Sequence, residues 1–125
     1  MREILFRGKA ENGEWIYGDL VHWWGRHNTK PDIQIYNNVQ RFKVIPETVG
    51  QYTGLTDKNG KKIFEGDIVY SPYEDENTVI EWDDDDAMFT IVYDDICTDF
   101  SHYWGRYLEV IGNIHDNPEL IGSRW

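Results

Sequence analysis

The segment Thr78–Tyr93 has the sequence TVIEWDDDDAMFTIVY and predicts the clearest β-hairpin of the chain. Two runs rich in β-branched and aromatic residues, Thr78–Trp82 and Met88–Tyr93, flank the acidic segment Asp83–Asp86. Such residues favour strands, whereas aspartate is depleted from strands and common in turns. We therefore expect two antiparallel strands joined by a solvated loop.

Further strand signals lie on both sides of this hairpin. Ile4–Lys9 and Trp15–Trp24 are separated by an Asn-Gly pair, a strong hairpin signal, and alternate residues of the second run share one face. The other extended runs are Ile33–Tyr36, Val39–Val44, Val49–Leu55, Phe64–Tyr70 and Leu108–Ile114. Asn117–Ile121 predicts one helical turn, because Asn can cap a helix and Pro suits its first position.

These signals together predict a mainly β fold. The chain has no sustained helical periodicity, and closely spaced strands favour a barrel or a sandwich. We expect a small barrel or pseudo-barrel of antiparallel strands with little helix. The Gly66-Asp67 turn before the strand Ile68–Tyr70 suggests an SH3-like element in the C-terminal half. We expect a single domain over residues 1–125, which can be subdivided into N-terminal strands, 1–48, and a barrel-like half, 49–121.

The charge balance limits the classes of partner. The chain of 125 residues has 12 basic and 23 acidic residues, a formal net charge of −11. Such a charge disfavours direct binding to nucleic acid or to anionic membranes, and it could attract a basic protein. The simpler interpretation is that the charge keeps an aromatic-rich domain in solution. Cys97 is the single cysteine, so no disulfide can form within the chain. No apolar run is long enough to span a membrane, and we expect a cytoplasmic protein.

Two similar aromatic segments are the candidate interaction sites. Each has an aromatic pair followed by Gly-Arg, and adjacent rings in a strand point to opposite faces. They could form an exposed interface or a base-stacking platform, or they could fill the core with the arginines stacked on them. The acidic net charge favours a protein partner over nucleic acid. The candidate interface residues are Trp23, Trp24, Arg26, Tyr103, Trp104 and Arg106.

No constellation of residues predicts an active site. Asp83–Asp86 could attract a divalent cation but lacks the spacing of an EF-hand, so a solvated loop is the simpler interpretation. Cys97 and His102 have no nucleophile–base signature, and the spacing of His22 and His27 does not match a zinc motif. The glycines also fail the spacing of a phosphate-binding loop. We expect no catalytic, metal-binding or cofactor-binding residues, and therefore no enzyme.

Three stretches in order resemble the YopX-type family of phage-associated proteins. They are REILFRGK (2–9) with EWIYGDL (14–20), PETVGQYTGL (46–55) continuing through DKNGKKIFEGDIV (57–69), and YLEVIGNIHDNPEL (107–120). The resemblance implies a β-rich domain, encoded by a phage or prophage and acting in the bacterial cytoplasm. The family has no established activity, so the resemblance implies no catalytic residue.

Three functional hypotheses follow from these observations. The first is a non-enzymatic binding or assembly module that forms a homo-oligomer through its aromatic patches. Two copies around a symmetry axis would bury the same patch, and screening of the net charge by salt would strengthen their association. The second is an acidic decoy that occupies the basic site of a host nucleic-acid-binding protein. The third is a metal-dependent hydrolase that uses the aspartate-rich hairpin.

Overall fold

The computed structural model describes residues 3–26, 29–38, 40–93, 96–99 and 107–124. The chain divides into two compact units, Met1–Tyr52 and Thr53–Trp125, which we call the first and the second unit. The described residues contain eleven strands and two short 3-10 helices. None of these helices is long and apolar enough to cross a lipid bilayer.

The first unit contains an antiparallel sheet with the strand order β4-β3-β2-β1-β5. Its strands are β1 (Phe6–Lys9), β2 (Trp15–Trp23), β3 (Asp32–Asn37), β4 (Gln40–Lys43) and the start of β5 (Gly50–Thr56). The β1–β2 hairpin turns at Gly13, whose φ of 90° suits glycine. A 3-10 helix, Pro46–Thr48, connects β4 to β5.

One face of this sheet forms the core of the first unit. Ile16 on β2 and Ile35 on β3 are buried together with Val44, and half-buried apolar side chains such as Leu20 and Phe42 pack around them. The 3-10 helix is held close by Thr48, whose hydroxyl accepts a 2.8 Å hydrogen bond from the Lys9 backbone N–H. Alternation along β2 thus sends every second side chain into this core and leaves the others on the opposite face.

The second unit contains an antiparallel sheet with the order β10-β9-β8-β7-β11. Its strands are β7 (Asp67–Ser71), β8 (Glu76–Asp83), β9 (Met88–Tyr93), β10 (Ile96–Asp99) and β11 (Glu109–Asn113). The later residues of β5 and the strand β6 (Lys62–Phe64) also belong to this unit, which ends in a 3-10 helix, Pro118–Arg124. Its core contains the fully buried residues Ile63, Val69, Ile80, Ile91 and Leu108.

Two buried aspartates organise turns in the second unit. Asp57 accepts hydrogen bonds from the backbone N–H groups of Asn59 and Lys61 through Oδ1 and of Val110 through Oδ2. Asp67 accepts one from the backbone N–H of Phe64 at 2.7 Å. A carboxylate that satisfies backbone donors in this way stabilises a turn, so these buried acids are accounted for by the fold.

The structure confirms a mainly β fold with two antiparallel sheets and corrects several details. In the described residues neither sheet closes into a barrel, although a pseudo-barrel remains compatible with the strand arrangement. Both predicted hairpins form, and β11 contains an irregularity in register next to Gly112. The predicted C-terminal helical turn forms as a 3-10 helix that begins at Pro118. Asn117 Oδ1 accepts a hydrogen bond from the backbone N–H of Asn113 instead of capping that helix.

Candidate binding face of the N-terminal sheet

The first unit has a second sheet face, opposite its core, which we call the outer face. Directly paired residues of an antiparallel sheet lie on the same side, so the register of β1 to β4 defines this face. Its residues are Arg7, Lys9, Trp15, Tyr17, Asp19, Val21, Trp23, Asp32, Gln34, Tyr36, Arg41 and Lys43. The face therefore combines aromatic and basic side chains.

The aromatic side chains of the outer face are largely accessible. Tyr17, Trp23 and Tyr36 are 43%, 45% and 40% exposed, respectively, while Trp15 is half-buried. Trp24, directly after β2, is 59% exposed. Large rings in contact with water are unfavourable, and several of them on one face of a sheet often mark a contact site.

Arginine side chains stack on two of these tryptophans. The guanidinium carbon of Arg41 lies 4.4 Å from the ring centroid of Trp23, and that of Arg7 lies 4.8 Å from the ring centroid of Trp15. Cation–π contacts of this length hold the rings and the charges in defined positions. Arg7 is buried, whereas Arg41 is exposed on β4, which is an edge strand of the sheet.

The structure describes three of the six predicted interface residues. Trp23 and Trp24 are exposed rather than part of the core, and Arg26 is exposed as well. The arginine that stacks on Trp23 is Arg41, which the sequence analysis did not single out. The other three candidates, Tyr103, Trp104 and Arg106, lie outside the described residues. The use of these side chains as an interface stays a prediction.

Tyr36, Arg41 and Lys43 are among the members of the outer face that sequence reasoning missed. They lie on β3 and β4, and they join Trp23 only because the β2–β3 and β3–β4 registers bring alternate residues to one side. The alternation of polar and apolar residues in β4, where half-buried Phe42 separates the exposed Arg41 and Lys43, could have indicated that these two side chains share a face, but not which strands that face adjoins.

The two units differ strongly in charge. The first unit contains 7 basic and 6 acidic residues, a net charge of +1, and the second contains 5 basic and 17 acidic residues, a net charge of −12. The outer face itself has four basic side chains against Asp19 and Asp32, and Asp32 lies 3.9 Å from the Lys43 ammonium. The overall charge of −11 therefore does not describe the outer face.

The turn of the β8–β9 hairpin presents acidic side chains, and we call Asp84, Asp85 and Asp86 the acidic tip. All three are exposed. Asp83 Oδ1 accepts hydrogen bonds from the backbone N–H groups of Asp85 and Asp86, at 2.9 and 3.4 Å, which gives the turn a defined shape. Beside the tip, Trp82 is 42% exposed and packs edge-on against Phe89 with the ring centroids 5.0 Å apart.

Burial perturbs one carboxyl group on this hairpin. Desolvation raises the pKa of Glu81 above its usual value, and the negative charge of Glu65 raises it further. Both effects disfavour the ionised form. Neither effect provides a nucleophile or a paired acid, so Glu81 does not indicate catalysis.

The remaining chemical candidates do not assemble into a site among the described residues. No three His, Cys, Asp or Glu side chains there are gathered as metal ligands. Cys97 lies on β10, while His102 and His27, which the sequence analysis paired with Cys97 and His22, lie outside the described residues. The described part of the chain therefore contains no metal site that would support the hypothesis of a metal-dependent hydrolase.

Comparison with known proteins assigns the chain to a family. The model of the YopX protein family matches residues 5–122, which is nearly the whole sequence. The chain belongs to the YopX family. Protein EF1440 from Enterococcus faecalis has a similar crystal structure, with a TM-score of 0.63 and 24% sequence identity over 97% of this chain and 99% of that chain. This likeness concerns the fold alone. No curated protein matches the chain.

Proposed function

We propose that this YopX-family protein is a phage- or prophage-encoded, non-enzymatic assembly module of the bacterial cytoplasm. It associates with further copies of itself through the outer face of its first unit. The observation that carries the proposal is the exposure of Tyr17, Trp23 and Tyr36 on one side of a single sheet.

Residue types and area support a protein contact at this face. Trp, Tyr and Arg are the residues that most often dominate binding energy at protein interfaces. Each fully enclosed aromatic side chain buries about 150–250 Å². Tyr17, Trp23 and Tyr36 are already more than half buried, so a partner would cover only about 60–110 Å² of each ring. The three rings would thus supply roughly a quarter to two fifths of the about 800 Å² that each partner contributes to a stable complex, and neighbouring side chains of the face would supply the rest. The arginine stacked on Trp23 adds a positioned charge at the same place.

Analytical ultracentrifugation tests the proposal on the full chain over a wide concentration range. The variant Trp23→Ala/Tyr36→Ala should self-associate about 10-fold more weakly than the wild type, because truncation of an interface anchor commonly costs more than 1 kcal/mol. Tyr73→Ala is the matched control, since Tyr73 is 69% exposed in the second unit. A wild-type protein that stays monomeric at high micromolar concentration would rule the proposal out.

The charge of the second unit favours one alternative, the acidic decoy. A net charge of −12 on Thr53–Trp125 gives this unit the electrostatic character needed to occupy a basic site on another protein. Affinity capture from bacterial lysate with a salt titration tests it. A basic partner that is released as salt rises would support the decoy, whereas recovery of the bait alone would argue against it.

A further inference from the structure

We propose that the outer face of one copy binds the acidic tip of the β8–β9 hairpin of another copy, so that the chains associate head to tail. The proposal rests on the proposed function, since it names the second surface of the same self-association. The outer face belongs to the first unit and the acidic tip to the second, so both halves of the contact are present in every chain.

Charge decides between this arrangement and a symmetric one. A twofold contact would place two outer faces against each other. On each face three basic side chains, Lys9, Arg41 and Lys43, are at least partly exposed beside two acidic ones, Asp19 and Asp32, whereas Arg7 is buried. Like charges would then oppose each other in a desolvated contact, which is costly. The second unit of another copy, with a net charge of −12, offers the complementary charge instead.

The acidic tip has the shape and the chemistry to fill this role. The hydrogen bonds to Asp83 fix the turn before binding, so little conformational entropy is lost when the tip docks. Exposed Trp82 beside the tip provides an apolar surface for the rings of the outer face. Carboxylates at Asp84 and Asp85 can accept charge-assisted hydrogen bonds from Arg41 and Lys43, both exposed on the edge strand β4.

A head-to-tail contact has two consequences that a twofold contact lacks. Each copy keeps one free face and one free tip, so assembly continues beyond a dimer into a ring or an open chain. Attraction between opposite charges is screened by salt, so association weakens as the ionic strength rises. A contact between two positively charged outer faces would stop at the dimer and strengthen with salt.

The experiment mixes two variants of the full chain, each defective in one surface. Arg41→Gln/Lys43→Gln neutralises the outer face, and Asp84→Asn/Asp85→Asn neutralises the acidic tip. Each variant has a matched control that removes two charges of the same sign elsewhere in the second unit. Lys61→Gln/Lys62→Gln is the control for the outer-face variant, and Glu74→Gln/Glu119→Gln is the control for the acidic-tip variant. Melting temperatures of all variants, with and without calcium, show whether the fold is intact.

Sedimentation velocity should give a distinct result for each sample. Wild type and both controls should form species larger than a dimer, and each surface variant alone should associate about 10-fold more weakly. An equimolar mixture of the two surface variants should form a complex of one copy of each and nothing larger, because only one intact face and one intact tip can meet.

Several outcomes would overturn the inference. If the face variant loses association while the tip variant keeps it, the proposed function stands and the acidic tip is not the partner surface. If the mixture of the two variants forms no complex, or if association strengthens with salt, the acidic tip is likewise not the partner surface. A wild-type monomer that instead binds a single-stranded oligonucleotide through Trp23 and Arg41 would overturn both proposals in favour of base stacking.

Discussion

Burial on the β8–β9 hairpin makes the carboxyl group of Glu81 harder to ionise in the folded protein than in the unfolded chain. Its pKa is raised above the ordinary 4.5, first by desolvation and then by the charge of Glu65. A carboxyl group with a raised folded-state pKa binds protons more tightly when folded. The stability of the protein therefore falls as pH rises from about 4.5 through the raised pKa, and the loss is complete above it.

Glu81→Gln should consequently unfold at a higher temperature than the wild type at pH 7. The difference should be small, because the group is far from fully buried, and it should shrink as pH falls through the raised pKa and vanish below pH 4.5. Thermal melts across this pH range, followed by circular dichroism, measure it. Glu74→Gln, at an exposed site, is the control and should show no such trend. A Gln variant that is less stable at pH 7 would contradict the prediction.

At the scale of single residues, sequence reasoning found one of the exposed rings of the outer face, Trp23, together with its neighbour Trp24. Trp23 and Trp24 stood out because two adjacent tryptophans before Gly-Arg are unusual in a chain of this size. Tyr36 and Arg41 could not be assigned to the same surface as Trp23. Tyr36 joins it only because β3 pairs with β2, and Arg41 only because β4 pairs with β3. Local sequence contains no information on that register.

The pairing of β2 with β3 is the element on which the outer face depends. Gly18 lies directly beside the backbone of β3, and a Cβ atom at this position would overlap the backbone oxygen of Tyr36. Next to it, the Asn37 side-chain amide donates a 2.8 Å hydrogen bond to the carbonyl oxygen of Tyr17. Glycine is therefore required here by the distance between two backbones, which no sequence pattern reveals.

Gly18→Ala should destabilise the protein by about 1–3 kcal/mol, because the strands must separate to admit the methyl group. The shift of Tyr36 should also weaken self-association, since its ring lies on the outer face. Urea unfolding measures the first effect and sedimentation the second. Asp19→Ala changes an exposed neighbour on the same strand and should leave stability almost unchanged. Equal stability of Gly18→Ala and wild type would show that the strands can part without cost.

Elements with strong local signals were predictable, and those set by tertiary contacts were not. The two hairpins follow from alternation and turn residues in the sequence itself. The 3-10 helix Pro46–Thr48 is too short to show a periodicity. The sequence analysis predicted that the sheets close into a barrel or pseudo-barrel. Whether a sheet closes depends on which strands pair with each other across long stretches of sequence. Such pairing cannot be read from local sequence patterns.

At the scale of the whole molecule, the separation of charge between the two units matters more than the total. The value of −11 was available from the sequence, but the division into +1 and −12 needs the boundary after Tyr52. Taken as an average over the whole chain, the net charge of −11 predicts that copies repel each other. When the charge is counted separately for each unit, the second unit of one copy is an acidic surface that can bind the outer face of another copy.

This division predicts opposite effects of salt on stability and on association. Within one chain, the 17 acidic residues of the second unit repel each other, and salt relieves that repulsion. Raising NaCl from about 0.01 M to about 0.15 M shortens the screening length from about 30 Å to about 8 Å. The melting temperature of dilute, monomeric protein should rise by about 3–6 °C, which corresponds to about 1 kcal/mol for a chain of this size.

Over the same salt range, head-to-tail association should weaken, because there the screened interaction is an attraction. Calorimetry at low protein concentration and sedimentation at high concentration measure the two effects on the same preparation. Asp84→Asn/Asp85→Asn should reduce both responses, since these residues contribute to the repulsion within one copy and to the attraction between two. Stability and association that rise together with salt would show that repulsion between whole molecules dominates, and the twofold contact would then be the better explanation.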